Sequence, residues 1–345
     1  MRILLKTVSI GFLLFNISCA SEVANSPAQS NKTVALSIID DRGVPFFAIS
    51  NDLGSNFKTI SITSSLTPYN YASLHISMPK LSGSNIVSFG TDSGGNYRLD
   101  VSQDLWITHM VKSSLPFSIV ADSVLDLYLH NNTIILSQHL ISNNTNHLLV
   151  STDLGDTFTD YLVPNTVLGS IEINGSFDGN NLVFKTLDTS SVERYYETSN
   201  FTSFSNISSF IQQYSSCPST ITHFSFDHGA LLTTCTNISY SPDLSGVSFL
   251  DSKVADSDAN ALTNYSQYDV SLSGSIMALN FSRKETTASL DVGDSKIELY
   301  LSGDQGVNFN HLTYLLPKHN YIGACPSSST CVRMKFSSYQ GVSVF

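Results

Sequence analysis

The chain has 345 residues and a formal net charge of −11, with only 13% of its residues charged. That balance argues against a nucleic-acid binder, which needs Lys and Arg to neutralise phosphates. With 41% hydrophobic residues, the surface must be covered largely by Ser, Thr and Asn. This suits an exported β-protein whose strands alternate apolar and hydroxyl side chains, and is unlike a typical cytosolic enzyme.

In chain order, residues 1–20 read as a signal peptide. Arg2 and Lys6 supply positive charge, Val8 to Phe15 is mostly apolar, and small residues follow at Ser18 and Ala20. The apolar run is too short to span a bilayer. Two cleavage readings stand. Ser18-Cys19-Ala20 suits ordinary signal peptidase cutting before Ser21. Asn16-Ile17-Ser18-Cys19 resembles a bacterial lipobox with a lipidated Cys19, although Asn16 stands where that pattern favours Leu. The expected location is extracellular, periplasmic or lipid-anchored at the cell envelope, with membrane attachment only through Cys19. Residues 21–32 read as a flexible leader and 33–345 as a single domain.

From there a repeat organises the sequence. The strand-like run Phe46-Phe47-Ala48-Ile49 leads into Ser50-Asn51-Asp52-Leu53-Gly54-Ser55-Asn56-Phe57, which reads S-x-D-x-G-x-x-F. His147-Leu148-Leu149-Val150 leads into a second copy with Ser151, Asp153, Gly155 and Phe158. Ile297 to Leu301 leads into a third with Ser302, Asp304, Gly306 and Phe309. The pattern predicts a tight hairpin turn. Asp accepts backbone N–H bonds, Gly takes a conformation costly for other residues, the Ser hydroxyl bonds locally, and the aromatic buries itself. Degenerate copies start at Ser102, Thr198 and Ser241; the Ser102 copy keeps only its first half as far as Trp106.

The copies recur about every fifty residues, close to one four-stranded propeller blade. The expected fold is therefore all-β, a β-propeller of six or seven blades with seven favoured. Val332 to Phe336, a Ser-Ser-Tyr-Gln-Gly turn and Val342 to Phe345 read as a further hairpin. A strand at Thr33 to Ile39 would complete that last blade and close the ring, removing exposed sheet edges.

The copies resemble the Asp-box, or bacterial neuraminidase repeat, of sialidases, xyloglucan-degrading glycosidases, the sortilin propeller and photosystem-assembly factors. The resemblance implies that the box is a structural turn away from the ligand-bearing face, so Asp52, Asp153 and Asp304 are structural residues. A working sialidase would need three arginines, a Tyr–Glu nucleophile pair and an acidic proton donor. The family's Arg-Ile-Pro signature is missing, and Arg194-Tyr195-Tyr196-Glu197 has the residue types but sits on the strand before a box.

Apart from Cys19, the cysteines are Cys217, Cys235, Cys325 and Cys331. An even set in an exported chain implies disulfides, and four cysteines allow three connectivities. The sequence-local pairing Cys217–Cys235 and Cys325–Cys331 is the simplest. No Cys-x-x-Cys spacing supports zinc. The calcium-like Asp256-Ser257-Asp258 opening lacks the Gly and Glu that such a loop needs. His223 and His228 fall on opposite faces of one strand. Tyr69, Tyr71, Trp106 and Tyr240 have the residue types of a sugar-stacking platform, but core packing or turn pinning is the favoured role. No metal or cofactor is expected. The function expected is an exported, monomeric, non-catalytic binding or scaffold propeller that engages a protein or glycan through its loop face. The alternative is a sialidase-like glycoside hydrolase acting on extracellular glycans.

Overall fold

Short runs rich in Val, Ile, Leu, Phe and Tyr, punctuated by Gly, Asn and Asp, favour paired strands over helices. The computed structural model describes residues 33–344 except 41–44, 65–66, 69–78, 95, 113–122, 141–143, 165–169, 188–191, 210–220, 228, 235–236, 243–247, 252–253, 255–264, 284–295, 316–317, 320–331 and 334–335.

Blade 1 begins with β1 (Val34–Asp40), β2 (Pro45–Ser50) and β3 (Lys58–Ser61). Blade 2 contains β4 (Thr67–Pro68), β5 (Lys80–Ser82), β6 (Asn85–Thr91), β7 (Tyr97–Ser102) and β8 (Met110–Val111). Both β4 and β5 pair with β6, so the first strand of this blade is split. Blade 3 is β9 (Ser123–His130), β10 (Thr133–Leu140), β11 (Thr145–Ser151) and β12 (Thr159–Val163). Blade 4 is β13 (Ser170–Phe177), β14 (Leu182–Leu187), β15 (Glu193–Thr198) and β16 (Ser205–Asn206). Blade 5 is β17 (Ile221–Phe226), β18 (Ala230–Thr234), β19 (Asn237–Ser241) and β20 (Ser248–Phe249). Blade 6 is β21 (Tyr265–Ser273), β22 (Ile276–Arg283), β23 (Lys296–Ser302) and β24 (Asn310–Leu315). A separate pair joins β25 (Lys318–His319) to β26 (Val332–Arg333), and β27 (Phe336–Val344) returns to blade 1 beside β1.

The described residues therefore form six blades, correcting the seven favoured by the repeat count. The error lay in the tail. Phe336–Val344 is one strand rather than half of a hairpin, with two irregularities in its pairing to β1. The Ser-Ser-Tyr-Gln-Gly segment is absorbed at those irregularities: Ile38 pairs with Tyr339 and Ser37 with Gly341, leaving Gln340 as the extra residue. The tail thus supplies the missing strand of blade 1 and begins no further blade.

Six apolar clusters match the six blades. Val34, Leu36 and Ile38 pack with Leu299 and Leu301, joining blade 1 to blade 6. Phe47 and Ile49 meet Leu81, Ile86 and Trp106 between blades 1 and 2. The remaining clusters fill the interfaces of blades 2 with 3, 3 with 4, 4 with 5 and 5 with 6. Alternation explains this arrangement, because successive residues of a strand point to opposite faces and each blade is buried on both. Each fully buried Leu, Ile or Phe contributes roughly 1.5–3 kcal/mol of transfer free energy. The first strands of successive blades lie nearest one another, so they form the inner ring.

One rim is knitted by polar ties between blades. Asn131 N–H donates to Ser82 Oγ at 2.8 Å, and Asn85 Nδ2 donates to Asn131 O at 2.8 Å, joining blades 2 and 3. Phe226 N–H donates to Ser176 Oγ at 2.9 Å between blades 4 and 5. Leu272 and Gly274 N–H donate to Ser225 Oγ and Asp227 Oδ2 between blades 5 and 6, at 3.0 and 2.6 Å. These donors and acceptors lie in or beside first-to-second-strand turns. An antiparallel meander puts those turns at the same end of each blade as the third-to-fourth-strand turns.

Candidate functional site

The third-to-fourth-strand turns are built by the S-x-D-x-G-x-x-F segments. Ser50 Oγ donates to Asp52 Oδ1 at 2.6 Å and accepts the N–H of Gly54 at 2.7 Å. Asp52 Oδ1 then accepts the Asn56 N–H at 2.9 Å, and Oδ2 the Asn56 side-chain amide at 2.7 Å. The same network recurs around Ser151 and Asp153, with Gly155 N–H and both the N–H and hydroxyl of Thr157 as donors. It recurs again around Ser302 and Asp304, with Gly306 and Asn308. Gly54, Gly155 and Gly306 all have positive φ. Phe309 is buried, while Phe57 and Phe158 are half-buried against the neighbouring cluster.

These bonds stabilise the ionised carboxylate. Asp52 is lowered from 3.8 to about 2, chiefly by the Ser50 hydroxyl and then by Asn56. Asp153 is lowered to about 2, led by the Thr157 hydroxyl. Asp304 is also lowered, mainly by the Asn308 N–H. A depressed carboxylate adds stability above its unfolded value, and that contribution disappears as pH falls through the folded value. The thermal midpoint of the protein is therefore expected to fall between about pH 4 and about pH 2. Asp153→Asn, which cannot titrate, should decline less steeply over the same window in a series of thermal melts. An equally steep decline would rule out this turn as a contributor.

Blade 2 departs from the pattern in sequence but keeps its geometry. Ser102 Oγ donates to Asp104 at 2.9 Å and accepts the N–H of Trp106, the residue in the Gly place, at 2.8 Å. Thr108 donates its N–H and hydroxyl to Asp104 at 2.8 and 2.7 Å. Trp106 has φ 68°, a conformation that L residues with a large side chain rarely adopt. His109 stands in the Phe place and stacks on Trp106, with ring centroids 4.8 Å apart and planes at 6°. Its Nδ1 lies 2.8 Å from Asp100 Oδ1, and the other oxygen of that fully buried carboxylate accepts the Ser64 hydroxyl at 2.7 Å. Ser, His and Asp are thus present, but Ser and His both bond to the Asp. The Ser64 hydroxyl donates to the carboxylate that the imidazole also meets, an arrangement that reads as a tie between blades 1 and 2 rather than a nucleophile relay. The other degenerate turn with described geometry, at Thr198, is one residue tighter: Phe201 N–H reaches Thr198 Oγ1 at 2.9 Å, and Asn200 takes the Asp place.

Two further carboxylate–imidazole pairs occupy outer strands. His147 meets Asp160 at 3.0 Å on blade 3, and His311 meets Glu298 at 2.8 Å on blade 6. Thr313 also donates to Glu298, and Tyr300 stacks on His311. A Tyr–Glu pair is present at Tyr195, whose hydroxyl donates to Glu193 at 3.1 Å, and Lys185 pairs with the same carboxylate at 3.1 Å. Tyr195 is only 2% exposed and sits in the cluster between blades 4 and 5.

Among the other sequence candidates, Trp106 and Tyr240 are buried core residues rather than an open stacking surface. Tyr69, Tyr71, Asp256, Ser257, Asp258 and His228 lie outside the described residues, as do Cys19, Cys217, Cys235, Cys325 and Cys331. His223 lies on β17. Among the described residues no group of three or more His, Cys, Asp or Glu could hold a metal, and no helix is long and apolar enough to cross a membrane. The chemistry missed in the sequence is the Trp106–His109–Asp100 set. Counting forward from Ser102 in register with the other copies would have placed Trp in the Gly position and His in the Phe position.

No protein-family model matches the chain, and no curated protein matches it. Solved structures do resemble it. TolB from Acinetobacter baumannii is 11% identical with TM-score 0.51, over 92% of this chain and 67% of that one. A six-bladed β-propeller lectin from Aleuria aurantia, described with a novel mode of fucose recognition, is 11% identical with TM-score 0.50, over 88% of this chain and 95% of the lectin. YCF48 bound to D1 peptide is 11% identical with TM-score 0.42, over 82% of each chain. At such identities the likeness is one of fold, and the chain is a six-bladed β-propeller.

Proposed function

We propose that this chain is an exported Asp-box propeller that binds a protein or glycan through the loop face opposite its repeat turns, without catalysing a reaction. One observation carries the reading. The motif-bearing carboxylates Asp52, Asp104, Asp153 and Asp304 are each held by a hydroxyl and a backbone N–H of their own turn. Each accepts three bonds from its own turn, out of roughly four acceptor sites, which favours recognition at the other end of the blades. At that end the described strands turn from second to third and each blade hands over to the next, and loops on a rigid scaffold are where binding residues concentrate.

Against the glycosidase reading stands the Tyr195–Glu193 pair. It has suitable residue types, but the Tyr195 ring, the would-be nucleophile, is buried against Phe224 and Val183. A nucleophile must reach its substrate. The similar lectin recognises fucose on the same kind of scaffold, which is why a glycan belongs among the ligands to test.

The test is a glycan-array screen of the mature protein, run beside a pull-down from its own cell envelope. Saturable capture of one glycan class or one protein, with that ligand recovered intact, is the expected result. Release of cleaved sugar would replace binding with hydrolysis, and capture of nothing in either arm would overturn the proposal.

A further inference from the structure

The outermost strand of each blade is a sheet edge, and natural proteins protect such edges with charged or polar side chains. This chain follows that practice on β3, β16 and β24, whose exposed side chains are Lys, Ser, Thr, Asn and His. Blade 2 does not. Met110 and Val111 of β8 are 61% and 36% exposed, and Ile107 in the preceding turn is 81% exposed. Across the groove to blade 3, Leu162 of β12 is 62% exposed and shares a face with His147 and Leu149, the side turned to blade 2. Met110 pairs with Val101, a member of the same interblade cluster, so its side chain faces that groove.

The outer side of the β8 backbone also has no strand partner among the described residues. Lys112 N–H donates inward to Leu99 O at 2.7 Å. Antiparallel alternation therefore turns the N–H and C=O of Val111 away from β7. No described strand lies beyond β8. The turn that delivers this edge is the one in which Trp106 replaces Gly at positive φ and stacks on His109, so the departure from the repeat and the unprotected edge occur together.

We propose that β8 accepts an extended peptide segment of another protein as an added strand, and that this segment alternates basic and apolar residues. Main-chain bonds to Val111 would supply affinity, and Ile107, Met110 and Leu162 would take the apolar side chains. The basic character follows from the surroundings. Asp156 and Asp160, with side chains 65% and 54% exposed, stand on the blade 3 side of the groove, and Lys112 is paired to Asp156. The chain's charge of −11 opposes a second copy of itself at this edge. The surface belongs to the outer edge of one blade and does not depend on the loop-face reading.

The probes are two fluorescein-labelled heptapeptides, KVKIKVK and EVEIEVE, titrated into the mature protein by fluorescence anisotropy. KVKIKVK is expected to bind at least about tenfold more tightly than EVEIEVE, a difference of about 1.4 kcal/mol. Val111→Pro removes the outward N–H without touching the β7 ladder, and Met110→Lys charges the edge. Each should weaken KVKIKVK by at least about tenfold while circular dichroism stays unchanged. Hydrogen exchange of the wild type should slow at residues 109–111 when KVKIKVK is present. Absence of binding, equal binding of the two peptides, or wild-type affinity in both variants would overturn the proposal. Loss in Met110→Lys alone, without exchange protection, would overturn strand addition in favour of a side-chain contact.

Discussion

Gly54→Ala is expected to destabilise the propeller by about 3 kcal/mol, the sum of about 1–2 for a Cβ at positive φ and about 1–3 for overpacking. Gly54 has φ +85°, and a Cβ there would collide with Leu312 Cδ1 and stand 2.8 Å from Leu301 Cδ1. Both side chains belong to the cluster that joins blades 1 and 6, the interface that closes the ring. Gly83 provides the internal control. Its φ is +60°, but a Cβ added there meets nothing within 4 Å. Gly83→Ala should therefore cost only the backbone part, about 1 kcal/mol. Urea unfolding of the two variants reads the difference directly. Equal shifts in midpoint would mean that the turn is not wedged between blades as described.

Trp106→Gly is the second large effect, and its sign is not obvious from the repeat. The substitution restores the residue that the other copies carry and relieves about 1–2 kcal/mol of backbone strain. It also removes a side chain that is 8% exposed, packs with Phe47, Ile49 and Ile86, and donates its indole N–H to Thr63 O at 3.1 Å. Deleting a buried Trp costs about 3–5 kcal/mol, so packing wins and the net expected loss is about 2–3 kcal/mol. Trp106 is the sole tryptophan of the chain, so unfolding of the variant must be followed by circular dichroism rather than indole fluorescence. A variant as stable as the wild type would show that the Trp106–His109 stack contributes nothing to the joint between blades 1 and 2.

How much of this was legible in the sequence depends on the range of the interaction. The turns at Ser50, Ser151 and Ser302 join residues two and four apart, so a local pattern carries the geometry completely. Strand runs such as Phe46 to Ile49 were visible for the same reason, because alternation is local. The blade count was not. It rests on Phe336–Val344 continuing through two irregularities to pair with Val34–Asp40 at the other end of the chain. A Ser-Ser-Tyr-Gln-Gly segment looks the same locally whether it bulges or turns. The Asp100 site was hidden for a third reason: register from Ser102 places His109, but Ser64 comes from the connection after blade 1 and no spacing announces it. Burial agrees with the favoured reading of two aromatics, since Trp106 and Tyr240 have the residue type of a sugar platform but the environment of a core. The loop face offers no such local code, because recognition there would be assembled from connections far apart in sequence.

The central claim, that the repeat turns hold the fold while the opposite face binds, is tested most directly by hydrogen exchange. The mature propeller would be compared with and without the ligand that the array or pull-down identifies. The account predicts slowed exchange in the connections at 112–122, 207–220, 250–264 or 316–335, with residues 50–57, 151–158 and 302–309 unchanged. Protection concentrated in those three turns, with the connections unaffected, would contradict it.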